Sequence, residues 1–235
     1  VQKKGKVVIV TGPIGSGKST LSEELARGLG PDTLWLPEAD EKGQRNPYLE
    51  DYYDSAERWA LTMQVHLLGV RYRQHLQAQW FTMNTGHDAV LDSCYWQDTA
   101  FARLQLKLGL MEQREFETYA ALYEAMTASV LLPSAVVRIL VTPETCFRRI
   151  TARMEKQTGR KCEAAIDLGY VRQLDCEIDG MSKILRDMGC PIFDVPWDAE
   201  RDSEQARQQT IESLAGRIQS LTVPDPFLDA HRRRL

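Results

Sequence analysis

The sequence predicts an α/β fold: a five-stranded parallel sheet flanked by helices. Three observations predict it. Short apolar strand candidates alternate along the chain with helical stretches, the pattern that builds a parallel sheet. The first of these strands runs straight into a glycine-rich loop and then an amphipathic helix. With 235 residues and 43% hydrophobic content, the chain is long enough for one sizeable core and short for two.

The first strand is Val7-Val8-Ile9-Val10, a run of β-branched side chains with no polar interruption, as a strand covered on both faces requires. A helix starts at about Gly17 and carries Leu21, Leu25 and Leu29 on one face. A second strand is expected over 33–37. Residues 54–81 place Trp59, Met63, Leu67 and Val70 at helical spacing, with Gly69 as the sole glycine and no proline, which predicts one long helix. The third strand, 89–92, ends in Asp92. Helices over 99–108 and 113–126 are divided by Gly109. After a fourth strand at 136–141, a helix begins near Pro143, where proline and Glu144 suit a first turn. The fifth strand covers 191–195 and a last helix 203–221. One domain is expected over 1–222. The tail 223–235, with Pro224, Pro226 and the closing Arg232-Arg233-Arg234, reads as a solvated terminus.

The loop Gly12-Pro13-Ile14-Gly15-Ser16-Gly17-Lys18-Ser19 satisfies G-x-x-x-x-G-K-[ST] in full, and Thr20 follows it. Glycines there can take positive φ and turn backbone N–H groups inward on a polyphosphate. The helix behind adds its positive dipole end. Lys18 reaches the β and γ phosphates, and the Ser19 hydroxyl is placed to ligate Mg²⁺. The loop therefore expects a magnesium nucleoside triphosphate.

Ligands of open parallel sheets sit beyond the carboxyl ends of the strands, a rule that selects Glu38, Asp92 and the segment after Val141. A carboxylate at Glu38 can accept the proton of a hydroxyl attacking the γ-phosphate; a solvated glutamate is the alternative. Asp92 suits the magnesium hydration shell. Asp98 and Arg71 can pair across a pocket and present a fork of donors to a base. Arg149 and Arg153, four residues apart after Arg148, share a helix face, and Arg160 and Lys161 follow in a polar lid over about 154–163. Guanidinium groups closing over the phosphoryl oxygens would stabilise their charge; a solvated basic face is the bland reading.

A net charge of −4 and a pI near 5.7 advertise no broad basic field for nucleic acid or anionic membrane. Five cysteines, odd in number and without a C-x-x-C pair, read as reduced thiols. No apolar run approaches a membrane span, and residues 1–6 lead into a strand. The expectation is a soluble cytoplasmic protein with no membrane partner. His66 and His75 on the long helix read as packing or surface residues.

The chain resembles the deoxynucleoside kinase family, relatives of the deoxycytidine, deoxyguanosine and deoxyadenosine kinases. The likeness covers most of it: GPIGSGKST at 12–20, NPYLEDYYDSAERWALTMQ at 46–64, DSCYWQDTAFA at 92–102, GLMEQREFETYAALYEAM at 109–126 and CFRRITARM at 146–154. The 46–64 run is the specific part. The resemblance implies a P-loop kinase fold with an arginine-bearing lid, ATP and Mg²⁺ as cofactors, a deoxynucleoside 5′-hydroxyl as acceptor and a homodimer. It implies Glu38 as general base, Tyr53 near the sugar 3′-hydroxyl, Trp59 and Phe101 as pocket walls, Gln64 on the base and Arg71 with Asp98 on its other edge. Arg149, Arg153 and, more loosely, Arg160 match the lid arginines, and Glu163 a lid carboxylate that contacts the sugar.

The sequence departs from the family in one place. The family carries Asp-Arg-Ser or Glu-Arg-Ser after the third strand, where this chain has Asp92-Ser93-Cys94. That arginine sits, by the resemblance, where charge develops, and its loss commonly costs about a hundredfold in rate. Three readings stay open: another arginine substitutes, the enzyme is slow, or the acceptor is bulkier, such as a modified nucleotide or 5-hydroxymethyluracil within DNA. A non-catalytic nucleotide-binding subunit is the remaining alternative, against which the joint presence of Lys18, Ser19, Glu38 and Asp92 counts.

Overall fold

The computed structural model describes residues 4–38, 46–156, 163–197 and 204–222. The unbroken apolar run near the amino terminus becomes β1 (Val7–Thr11), buried at every position, and it takes the middle of the sheet. Around it lie β2 (Leu34–Leu36), β3 (Ala89–Asp92), β4 (Ala135–Leu140) and β5 (Ile192–Pro196) in the order β2-β3-β1-β4-β5, with all pairings parallel. Parallel neighbours need crossovers, and helices supply them: α1 (Lys18–Leu29), α2 (Leu49–Asp54), α3 (Ala56–Thr85), α4 (Tyr95–Lys107), α5 (Gln113–Thr127), α6 (Pro143–Lys156) and α7 (Leu168–Asp187); α8 (Glu204–Gln219) follows the last strand.

Side chains alternate across β1. Val8 and Val10 join a cluster with Leu21, Leu25, Leu214 and Ile218 from α1 and α8; Ile9 points the other way, into Leu68, Leu104, Leu174 and Ile178 from α3, α4 and α7. The sheet is thus covered on both faces, and its carboxyl ends face the same rim.

Three elements differ from the sequence reading. The helix expected over 54–81 is α3, starting at Ala56 after Ser55, whose φ of −143° and ψ of 77° are not helical, and the short α2 ahead of it was not expected. α3 then runs on to Thr85, where Gly86 at φ 74° closes it in the left-handed conformation. Helix α4 begins at Tyr95 rather than 99. Helix α7 was not anticipated; Asp167 caps it by accepting from the Tyr170 N–H.

The inward face of α3 reads Gln64, Leu68, Arg71, His75, Ala78 and Thr82, in steps of four and three. Four of those six buried side chains are polar, an arrangement that packing alone does not require. No helix among the described residues is long and apolar enough to cross a membrane.

Candidate active site

Strand β1 delivers the chain to the phosphate-binding loop at the carboxyl rim. Gly15 and Gly17 take φ of 78° and 94°, and a Cβ on Gly15 would stand 2.6 Å from the Cys146 carbonyl oxygen. Both conformation and space therefore demand glycine there. A Cβ on Gly17 would lie 3.0 Å from Nε1 of Trp197, the residue that follows β5. The Lys18 ammonium folds back over the loop and donates to the Pro13 carbonyl at 3.1 Å. Ser16 is buried, and its hydroxyl has no hydrogen-bond partner among the described residues.

Two side chains grip the loop from outside its motif. Gln97, buried in the first turn of α4, accepts with Oε1 from the Thr11 hydroxyl at 2.5 Å and from the Gly12 N–H at 3.2 Å. Arg149 on α6 donates from Nη1 to the Ser16 carbonyl and from Nη2 to the Trp197 carbonyl, both at 3.0 Å. Sequence reasoning missed Gln97 and Trp197. Neither belongs to a spacing pattern, and their roles come from three-dimensional neighbours.

Asp92 ends β3 beside Val10 and is buried. Ser93 follows at φ 73°, its N–H donating to the Val10 carbonyl at 3.0 Å. Ser19, half-buried at the start of α1, and Asp92, at the end of the strand beside β1, offer a hydroxyl and a carboxylate at the carboxyl rim of the sheet. Such hard oxygen donors are the kind that Mg²⁺ takes, and these residues fit it.

Across the rim, Glu38 leaves the end of β2. Two residues of α3 hold that exit: Gln74 donates to the Pro37 carbonyl at 2.8 Å, and Arg71 Nη2 donates to Glu38 Oε1 at 2.5 Å. Arg71 Nη1 pairs with Asp98, which is fully buried on α4. Two turns before Arg71 on the same face, Gln64 is 0% exposed, and neither its Oε1 nor its Nε2 finds a partner among the described residues. A buried amide left so costs about 1–3 kcal/mol unless a ligand satisfies it.

The apolar wall beside Gln64 is a cluster of Tyr52, Ala60, Met63 and Met111, against which Tyr53 and Trp59 pack half-buried. Trp59 stacks at a tilt on Tyr48, 5.6 Å between centroids, under the guanidinium of Arg58 at 4.6 Å. Phe101 packs half-buried on the neighbouring cluster that includes Trp96 and Tyr95. Burial pushes the Cys94 thiol up to about 11, so it stays protonated and is no nucleophile near neutral pH. His75, fully buried, is lowered to about 4 by desolvation; it contacts the Leu131 carbonyl and the edges of Tyr95 and Trp96.

The arginines of α6 part company. Arg149 turns to the phosphate loop, Arg148 is exposed, and Arg153 donates from Nη2 to both carboxylate oxygens of Glu163 at 2.8 Å. Glu163 is buried, so this pair ties the last turn of α6 to the segment that leads into α7. Arg160 and Lys161, expected in the lid, lie outside the described residues, as does the tail 223–235.

Comparison with known proteins agrees with this geometry. The family model described as deoxynucleoside kinase matches residues 8–219. A deoxyadenosine/deoxycytidine kinase of Bacillus subtilis is 30% identical over 222 residues, covering 93% of this chain and 94% of that protein. A deoxyadenosine kinase of Dictyostelium discoideum is 28% identical over 213 residues, 88% of this chain and 80% of that one. Among solved structures, deoxyadenosine kinase from M. mycoides with bound dATP superposes with a TM-score of 0.71 at 26% identity, over 92% of this chain and 100% of that chain.

Proposed function

Since the chain belongs to the deoxynucleoside kinase family, we propose that it transfers the γ-phosphoryl group of ATP to the 5′-hydroxyl of a deoxynucleoside. The observation that carries this reading is the buried, unpartnered amide of Gln64 on the helix face that also presents Arg71. An amide offers one acceptor and one donor side by side, which complements an exocyclic amino group next to a ring nitrogen, as adenine and cytosine present. The relatives named for deoxyadenosine and deoxycytidine support the same class of acceptor.

Glu38 accepts the proton of the 5′-hydroxyl, the freed oxygen attacks the γ-phosphorus, and the bond to ADP breaks. Loop N–H groups between Ile14 and Thr20, Lys18 and the dipole end of α1 hold the phosphates. Ser19 and Asp92 would hold Mg²⁺, which when bound neutralises charge on the phosphate oxygens. Arg149 keeps the loop in place through Ser16, and Arg153, tied to Glu163, stands at the base of the lid. Tyr53, Trp59 and Phe101 wall the sugar and base, Gln64 reads the base's amino edge, and Asp98 orients Arg71 beside it. Copies of the chain pair as a homodimer.

The experiment is transfer of labelled γ-phosphate from ATP to a panel of deoxynucleosides, deoxynucleotides and duplex DNA containing 5-hydroxymethyluracil. Label is expected on free deoxynucleosides. Label on DNA alone, or none at all, would overturn the reading. Glu38→Gln is expected to lower kcat by about a hundredfold or more while ATP affinity, read by calorimetry, stays put.

A further inference from the structure

One guanidinium holds two carboxylates in this site. Arg71 is 6% exposed, donates to Glu38 at 2.5 Å and pairs with Asp98. The two acids differ in how firmly the fold seats them. Asp98 is fully buried in the first turn of α4, and its neighbour Gln97 ties that turn to Thr11 and Gly12. Glu38 is 31% exposed and follows β2, an edge strand of three residues. A short edge strand fixes a side chain beyond its end poorly; the contacts from α3 through Arg71 and Gln74 supply what the sheet does not.

We propose that Arg71 is a positioning residue for Glu38: the side chain that faces the acceptor's base also aims the general base and favours its ionised form. This inference rests on the kinase reading above. A guanidinium has five N–H donors in a rigid fork, so two carboxylates leave donors for a base edge. An opposite charge within hydrogen-bond reach favours the carboxylate anion, the form that can accept a proton. Ser93 stands where the family pattern has arginine, and the guanidinium that reaches Glu38 comes from α3. Base recognition and proton acceptance then share one part, and a poorly fitting base should depress turnover as well as affinity.

The test compares wild type, Arg71→Lys and the double variant Arg71→Gln/Asp98→Asn, which removes both buried charges together. Two acceptors are used: the best deoxynucleoside, and deoxyribose bearing hydrogen in place of the base, with which Arg71 has no base to contact. For the double variant kcat is expected to fall about tenfold or more with both acceptors, and Arg71→Lys to recover part of the loss. The acidic limb of the kcat/KM profile should move to higher pH, because Glu38 has lost its cation. Of the other ionisable groups near Arg71 among the described residues, Asp98 is absent from the double variant, Cys94 is raised to about 11 and Tyr119 above its ordinary value by burial, and His75, one turn along α3 and lowered to about 4, is taken out of the limb by repeating the comparison on a His75→Gln background. An unchanged kcat and an unmoved acidic limb, with only KM for nucleosides raised, would overturn the proposal and leave Arg71 a reader of the base. Absence of transfer to any deoxynucleoside by wild type would instead sink the kinase reading, and this inference with it. If the double variant does not fold, Arg71→Lys alone decides: it keeps the charge and loses the fork, so an unaltered kcat refutes the aiming role.

Discussion

Ser93 is the only residue other than glycine that takes a positive φ among those described, and it does so buried at the end of β3 with its hydroxyl unpartnered. An L side chain in that region carries about 1–2 kcal/mol of steric cost, part of which returns when glycine replaces it. Ser93→Gly is therefore expected to raise stability by about 0.5–1 kcal/mol in urea unfolding. A loss of stability would show that the hydroxyl has a partner worth more than the strain. At this scale the chain was partly legible. The loop from Gly12 to Ser19 could be read because its chemistry is local, set by eight consecutive residues. The contact between Glu38 and Arg71 joins positions 33 apart and depends on where α3 crosses the end of β2, which no spacing encodes.

Among the elements, α7 is the one whose omission matters most to the core. Val171, Leu174, Ile178, Met181 and Leu185 recur in steps of three and four after an aspartate cap, so the signal was present in the sequence, although Gly169 and Gly180 dilute it. Leu174 is fully buried in the cluster beneath Ile9. Truncation to alanine is expected to cost about 2–5 kcal/mol, measurable as a lower denaturation midpoint at unchanged m-value. The start of α3 was legible to within two residues, whereas the short α2 before it was not, because six residues are too few to display a helical period. The strands were read to within one residue at most ends. Their short apolar runs are bounded by turn residues and admit little sliding.

The molecule as a whole folds around a neutral imidazole. His75 is lowered to about 4 in the native state by burial, against about 6.5 when unfolded. Between those values the unfolded chain binds a proton that the native one does not, so stability rises with pH through this window. The contribution is intact above about pH 6.5 and is lost as pH falls toward 4, where it amounts to about 3 kcal/mol. His75→Gln, which can still donate to the Leu131 carbonyl, should flatten this part of the stability profile measured by thermal unfolding from pH 4 to 7. The parallel sense of the sheet followed from alternation, whereas the strand order and the clamps that hold its rim together did not. Trp197 carries a consequence of its own. It packs where Gly17 lacks a side chain, and its carbonyl takes Arg149. The eight-residue signature near the amino terminus is thus underwritten by a residue at the far end of the chain. A gene product cut short before Trp197 would keep the signature letter for letter and lose its support, so that inheritance of the motif alone is no warrant that the loop is built.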